Sequence, residues 1–188
     1  MPTYPIEPGK LLETADRLAP LHPGRGRPSY TAHRRAVSTA YYAVFHAITD
    51  RVAKAAFTEA DTAFLRKVQR WVKHGDVRMV AVWISQLEGI TAGSPPRHID
   101  ALLRPGSGEA HIDSDTLVIA DGFLELNEKR EQADYDHDAV FTRPDTLSHI
   151  ALAKSVVATI EATQTDAAKR FFGLVAIRSN IQSPLGAP

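Results

Sequence analysis

The chain has 188 residues with 22 basic and 22 acidic side chains, so it offers no global attraction to a polyanion, and any nucleic-acid contact has to come from local clustering. It contains no cysteine, which excludes a disulfide framework, thiolate metal sites and cysteine nucleophiles. The composition, 44% hydrophobic and 23% charged, is that of a globular protein of about one domain, and no apolar run approaches the roughly 20 residues of a membrane helix. The opening MPTYPIEPGK lacks the basic-then-apolar pattern of a signal peptide, so a cytoplasmic location with no membrane contact is expected.

Helical spacing runs along nearly the whole chain. Leu11, Leu12, Ala15 and Leu18 mark a first helix, delayed by Pro5 and Pro8 and stopped by Pro20 and Pro23. After the basic connector GRGRPSY, Ser29 is placed to cap a long amphipathic helix with the stripe Val37, Tyr41, Val44, Phe45, Ile48 and Val52. Phe64, Leu65, Val68, Trp71 and Val72 predict a third helix, with the Gly75 of His74-Gly75 suited to end it. Val77, Val80, Ala81, Ile84 and Leu87 predict a fourth. Residues 89–113 are rich in Gly, Pro and Ser and read as a long loop, with at most a helical turn around Asp100 to Leu103.

A fifth helix opens at Asp113 or Ser114 and carries Ile119, Phe123, Leu126, Arg130 and Ala133 on one stripe before the ADYDHD turn. Arg143-Pro144-Asp145 opens a sixth, marked by Leu147, Ile150, Ala153, Val157 and Ile160 and extended through Phe171, Phe172 and Val175. The tail NIQSPLGAP is expected to fray. With no repeat and no clear linker, the pattern predicts one all-α bundle over residues 1–188. A guanidinium at Arg130 on an apolar stripe needs a partner, and Asp134, one turn on, is the structural candidate. Tyr41 and Phe45 read as core aromatics. Tyr42 and His46, four apart, read as a second, semi-polar face of the same helix.

The segments AYYAVFHA (Ala40–Ala47), KHGDV (Lys73–Val77) and R-x-x-A-D-Y-D from Arg130, in this order, resemble the HEPN domain in its small stand-alone prokaryotic form, over about residues 29–160. The resemblance implies an antiparallel bundle of four to six helices, with residues 161–188 as a C-terminal helical extension and tail. It also implies a homodimer, often encoded beside a nucleotidyltransferase antitoxin, and in active members a metal-independent ribonuclease with an Arg-x(4 to 6)-His motif. Arg130 matches the family arginine, and His137 follows after six residues. Cleaving RNA without metal needs a proton acceptor for the ribose 2'-hydroxyl and a fixed positive charge for the phosphate, which a histidine and an arginine can supply. A second copy across a two-fold axis would bring two such pairs into one cleft. Asp134, Tyr135, His46 and Tyr42 are the expected supporting neighbours.

Arg25, Arg27, Arg34 and Arg35, with His33, form a local basic cluster that could bind RNA or serve only as a solvated connector face. Two features depart from the active pattern: Glu131 follows the arginine, and Asp134, Asp136 and Asp138 surround His137 with charge that repels a phosphate. The alternative is a non-catalytic module that binds a nucleotide, RNA or a partner protein, with ADYD as a structural turn. Nucleotide transfer to Tyr135 is a further reading by analogy. His98, His111 and His149 lack metal-ligand spacing, and GRGRP and RPGSG lack the strand and lysine of a phosphate loop, so no metal or cofactor is expected.

Overall fold

The computed structural model describes residues 6–20, 29–57, 60–87, 93–103 and 112–179. Among them the chain is all-α, in the order α1 (Pro8–Leu18), α2 (Tyr30–Ala56), α3 (Thr62–Gln69), α4 (His74–Leu87), α5 (Arg97–Leu103), α6 (Ser114–Tyr135), α7 (Arg143–Ala162) and α8 (Asp166–Arg178). No helix among the described residues is long and apolar enough to cross a membrane.

Short polar side chains start most of these helices by accepting otherwise orphaned backbone N–H groups. The Ser29 hydroxyl takes the Ala32 N–H at 3.2 Å, as its position before the long stripe predicts. Asp61 takes the Phe64 N–H and Asp113 the Thr116 N–H, each at 2.8 Å. At the start of α7, Asp145 accepts from the Thr142 N–H at 3.3 Å while its own N–H reaches the Thr142 hydroxyl at 3.4 Å, a reciprocal capping box.

Three boundaries differ from the sequence expectation. Gly75 does not end α3; it lies in the first turn of α4. The stop comes earlier, where the Trp71 and Val72 N–H groups turn back to Val68 and Gln69. The sixth predicted helix does not run on to Val175. It ends at Ala162, and Thr165, whose hydroxyl accepts the Ala168 N–H at 3.2 Å, starts α8 afresh. The turn expected at Asp100–Leu103 is the end of a two-turn helix begun after Pro95-Pro96, which buries Ile99 and Leu103. Residues 89–92 and 104–111 of the expected loop and the tail 180–188 lie outside the described residues.

The chain divides into two compact units. One comprises residues up to Ala47 together with Gly122–Glu161. In it Arg34, Ser38 and Tyr42 of α2 bond to Ala133, Asp134 and Arg130 of α6 in turn, so the two helices run antiparallel. Gly122 of α6 lies against Val156, and Glu125 lies near His149, which makes α7 antiparallel to α6. Its core includes Val37, Tyr41 and Val44 of α2, Phe123 and Leu126 of α6, and Ile150, Ala153 and Val157 of α7, all buried. Lys154 of α7 pairs with Asp16 of α1 at 2.8 Å.

The other unit comprises Ile48–Asp121 and the residues from Ala162 on. It packs α4 against α8, where Asp76 accepts from the Ser179 hydroxyl at 3.1 Å and Arg178 Nε stands 3.4 Å away. Val77, Val80 and Ile84 of α4 and Phe171, Phe172 and Val175 of α8 are buried there.

Candidate functional site

The stripe of α6 carries its arginine into the first unit's interior. Phe123 and Leu126 are fully buried and Ala133 nearly so, and the Arg130 side chain on the same face is only 17% exposed. The partner foreseen in the sequence is there: Arg130 Nε stands 2.9 Å from Asp134 Oδ2, one helical turn on. The contact is ionic, because no acceptor lies in line with the Nε–H. Asp134 also accepts from the Ser38 hydroxyl at 3.3 Å, and Arg130 Nη2 donates to the Tyr42 hydroxyl at 3.0 Å. Three rings surround the guanidinium, with Tyr41, Tyr42 and Tyr135 centroids at 5.8, 5.6 and 5.3 Å. Burial works against its charge, but the Tyr42 hydroxyl and the Asp134 carboxylate outweigh that and hold its pKa above the ordinary arginine value.

Beside this cluster opens a cleft of about 590 Å³. It is lined by Tyr42, Arg130, Asp134, Tyr135 and His137 together with Tyr30, Thr31, Arg34 and Arg35. The two residues expected to act on RNA therefore face one concavity within a single chain. They do not sit on one helical face: α6 ends at Tyr135, so His137 stands on the turn beyond it, exposed. The lining holds three guanidinium groups and one carboxylate, and that carboxylate is paired. The acids flanking His137 in sequence do not dominate the cleft. Asp136 instead accepts the Asp138 N–H at 2.9 Å and, with Arg130, Glu131, Gln132 and Tyr135, lines a second hollow of about 450 Å³. Glu131 is held by the Asn127 amide at 3.0 Å and does not line the main cleft.

The basic cluster divides. Arg25 and Arg27 lie outside the described residues, and His33 is buried. Arg35 is exposed in the cleft, and none of the described residues engages its side chain. Arg34, expected to face RNA, turns inward. Its Nε donates to Ala133 O at 2.7 Å, its Nη2 to Gln132 O and Asp136 O at 3.2 and 2.7 Å, and its Nη1 to Ala139 O and the Tyr30 hydroxyl at 3.2 and 2.9 Å. All five N–H groups are thereby engaged. Apart from Tyr30, one turn before it, nothing in the local sequence signals this, because the other four acceptors are backbone carbonyls about a hundred positions away.

His46, expected as a neighbour of the site, lies one turn along α2 from Tyr42 with ring centroids 6.5 Å apart and does not line the cleft. Burial lowers its pKa below the ordinary histidine value. Burial also raises the Tyr41 hydroxyl well above the tyrosine range, which keeps the ring under Arg130 neutral. Among the described residues no group of three or more His, Asp or Glu side chains is placed to hold a metal ion. Compared with protein-family models, curated proteins and solved structures, the chain has no match.

Proposed function

We propose that the cleft binds an RNA phosphodiester and that the chain is a HEPN-type, toxin-like, metal-independent endoribonuclease acting as a homodimer. The observation that carries this reading is the convergence of Arg130, Arg35 and His137 on one concavity with a surplus of positive charge. In this reading Arg130, fixed by Asp134 and Tyr42, meets the charge that builds on the phosphate oxygens, and Arg35 anchors a neighbouring phosphate. His137, exposed at the mouth, takes the proton from the 2'-hydroxyl as that oxygen attacks phosphorus. The 5' oxygen leaves with a proton from an acid, giving a 2',3'-cyclic phosphate and a 5'-hydroxyl. One neutral histidine serves one of these transfers at a time. The same histidine of a second copy supplies the other, which is why the reading calls for a dimer.

The test is incubation of the purified protein with mixed RNA in chelator, beside Arg130→Ala and His137→Ala, with analysis of fragment ends. Cyclic phosphate ends produced by the wild type and lost in both folded variants are expected; intact RNA overturns the proposal. His137 is exposed, so its removal leaves the fold alone and isolates the chemistry.

One observation favours a second reading, a non-catalytic binding module. Arg130 is held by Asp134 within its own chain and enclosed by three tyrosines, as a structural arginine would be. In that case Arg130→Ala lowers stability, and no RNA is cut by any form of the protein.

A further inference from the structure

Arg34 does more than close the end of a helix. An arginine that only capped α6 would need the carbonyls of its last turn, and the bonds to Gln132 O and Ala133 O meet that need. Two further bonds pass beyond the helix to the carbonyls of Asp136 and Ala139, on either side of His137. The Tyr30 hydroxyl donates to the same Ala139 carbonyl, and the Tyr30 ring stands 5.5 Å from the Arg34 guanidinium. From the other direction Ala139 and Phe141 anchor the turn by packing on Val37 and Ala133. The exposed His137 side chain has no bonding partner among the described residues, so its place in the cleft is set by its backbone.

We propose that Arg34, backed by Tyr30, is the positioning residue of the cleft, a planar fork from α2 that fixes the backbone on both sides of His137 and so fixes where the imidazole stands. The proposal rests on His137 being the proton-transfer group of the cleft. A lysine cannot substitute, because a single ammonium cannot span the helix end and both sides of the turn at once, whereas the guanidinium does so with one rigid plane. Loss of the fork leaves His137 present but loosely held, and misplacement of a proton-transfer group lowers the rate of the chemical step more than it lowers binding.

The experiment uses the full chain with Arg34→Lys and Tyr30→Phe. Tyr30→Phe removes the hydroxyl's bonds to Ala139 O and to Arg34 Nη1 but leaves Arg34's own bonds to the α6 end, Asp136 O and Ala139 O in place. The first readout needs no cleavage: backbone 15N relaxation at residues 136–139, and the shift of the His137 ring resonances on titration with inorganic phosphate. In Arg34→Lys the relaxation of the turn moves to that of a free loop while α6 up to Arg130 is unchanged, and the phosphate-dependent shift of His137 shrinks at least about twofold; Tyr30→Phe, with the fork still in place, loosens the turn in the same direction but less. The second readout is RNA cleavage, where kcat falls about tenfold or more with KM within about twofold.

A turn as rigid as wild type in Arg34→Lys overturns the proposal. So does a loosened turn with wild-type kcat. If the wild type itself leaves RNA intact, the ribonuclease reading fails; the relaxation and phosphate arms still decide whether Arg34 places His137.

Discussion

Arg130 carries its charge in a pocket of three tyrosine rings with one carboxylate and one hydroxyl to satisfy it. Its removal strands Asp134, also 17% exposed, with the Ser38 hydroxyl as its one remaining donor among the described residues. A half-buried carboxylate that loses its cation is costly, so Arg130→Ala should lower stability by about 2 kcal/mol, measured by urea unfolding. A double-mutant cycle with Asp134→Ala should return a coupling of roughly 1 kcal/mol. His46 gives the residue scale a pH signature. Its folded pKa lies below the ordinary value of 6.5, so between the two the unfolded chain takes up a proton that the folded chain refuses. Its contribution is intact above about pH 6.5 and is lost as pH falls toward the lower, folded pKa. The urea midpoint should therefore drop between pH 7.5 and 5.5, and His46→Gln should flatten part of that slope. The Arg130–Asp134 pair was legible in the sequence, since an arginine on an apolar stripe with an acid four residues on has one local solution. The four carbonyl bonds of Arg34 were not, because acceptors about a hundred residues away leave no pattern in its own neighbourhood.

At the scale of elements, two helix-interior glycines make opposite predictions. A Cβ at Gly122 in α6 would come within 2.4 Å of Val156 Cγ2 on α7, so that glycine permits the close crossing of the two helices. At Gly173 in α8 a Cβ would meet nothing within 4 Å. Gly122→Ala should destabilise by about 1–3 kcal/mol through overpacking, despite the better helix former. Gly173→Ala should stabilise by about 0.5–1 kcal/mol, since only the helix propensity of the residue changes. Thermal unfolding of the two variants side by side checks both signs. Periodicity located α1 to α4, α6 and α7, found only the last turn of α5 and read α8 as a continuation of α7. It misplaced ends where a hydroxyl or a backbone turn acted against the stripe: Thr165 interrupts an apolar pattern that reads continuously from Leu147 to Val175, and α3 closes before its glycine.

At the scale of the molecule, balanced charge means that any electrostatic attraction to RNA comes from local basic clusters, of which the cleft is one. Arg34 is engaged by carbonyls and Asp134 offsets part of Arg130, which leaves Arg35 and Arg130 to meet phosphates. Two phosphate contacts on a single strand correspond to a slope of log K against log salt near −1.4, about 0.7 per contact. Fluorescence anisotropy with a short RNA should give that shallow slope, and Arg35→Ala should reduce it by about 0.7 while leaving the fold intact. A steep slope would place the contacts elsewhere on the chain.

The separation of Arg34 from its acceptors also sets an order of events during synthesis. Its bonds close loops of 98 to 105 residues, long-range links that form late and only after the intervening chain has been made. While Ala139 is still inside the ribosomal tunnel, the nascent chain has α2 but neither the fork's acceptors nor the turn that carries His137. The cleft is consequently withheld from every growing chain until translation has passed it.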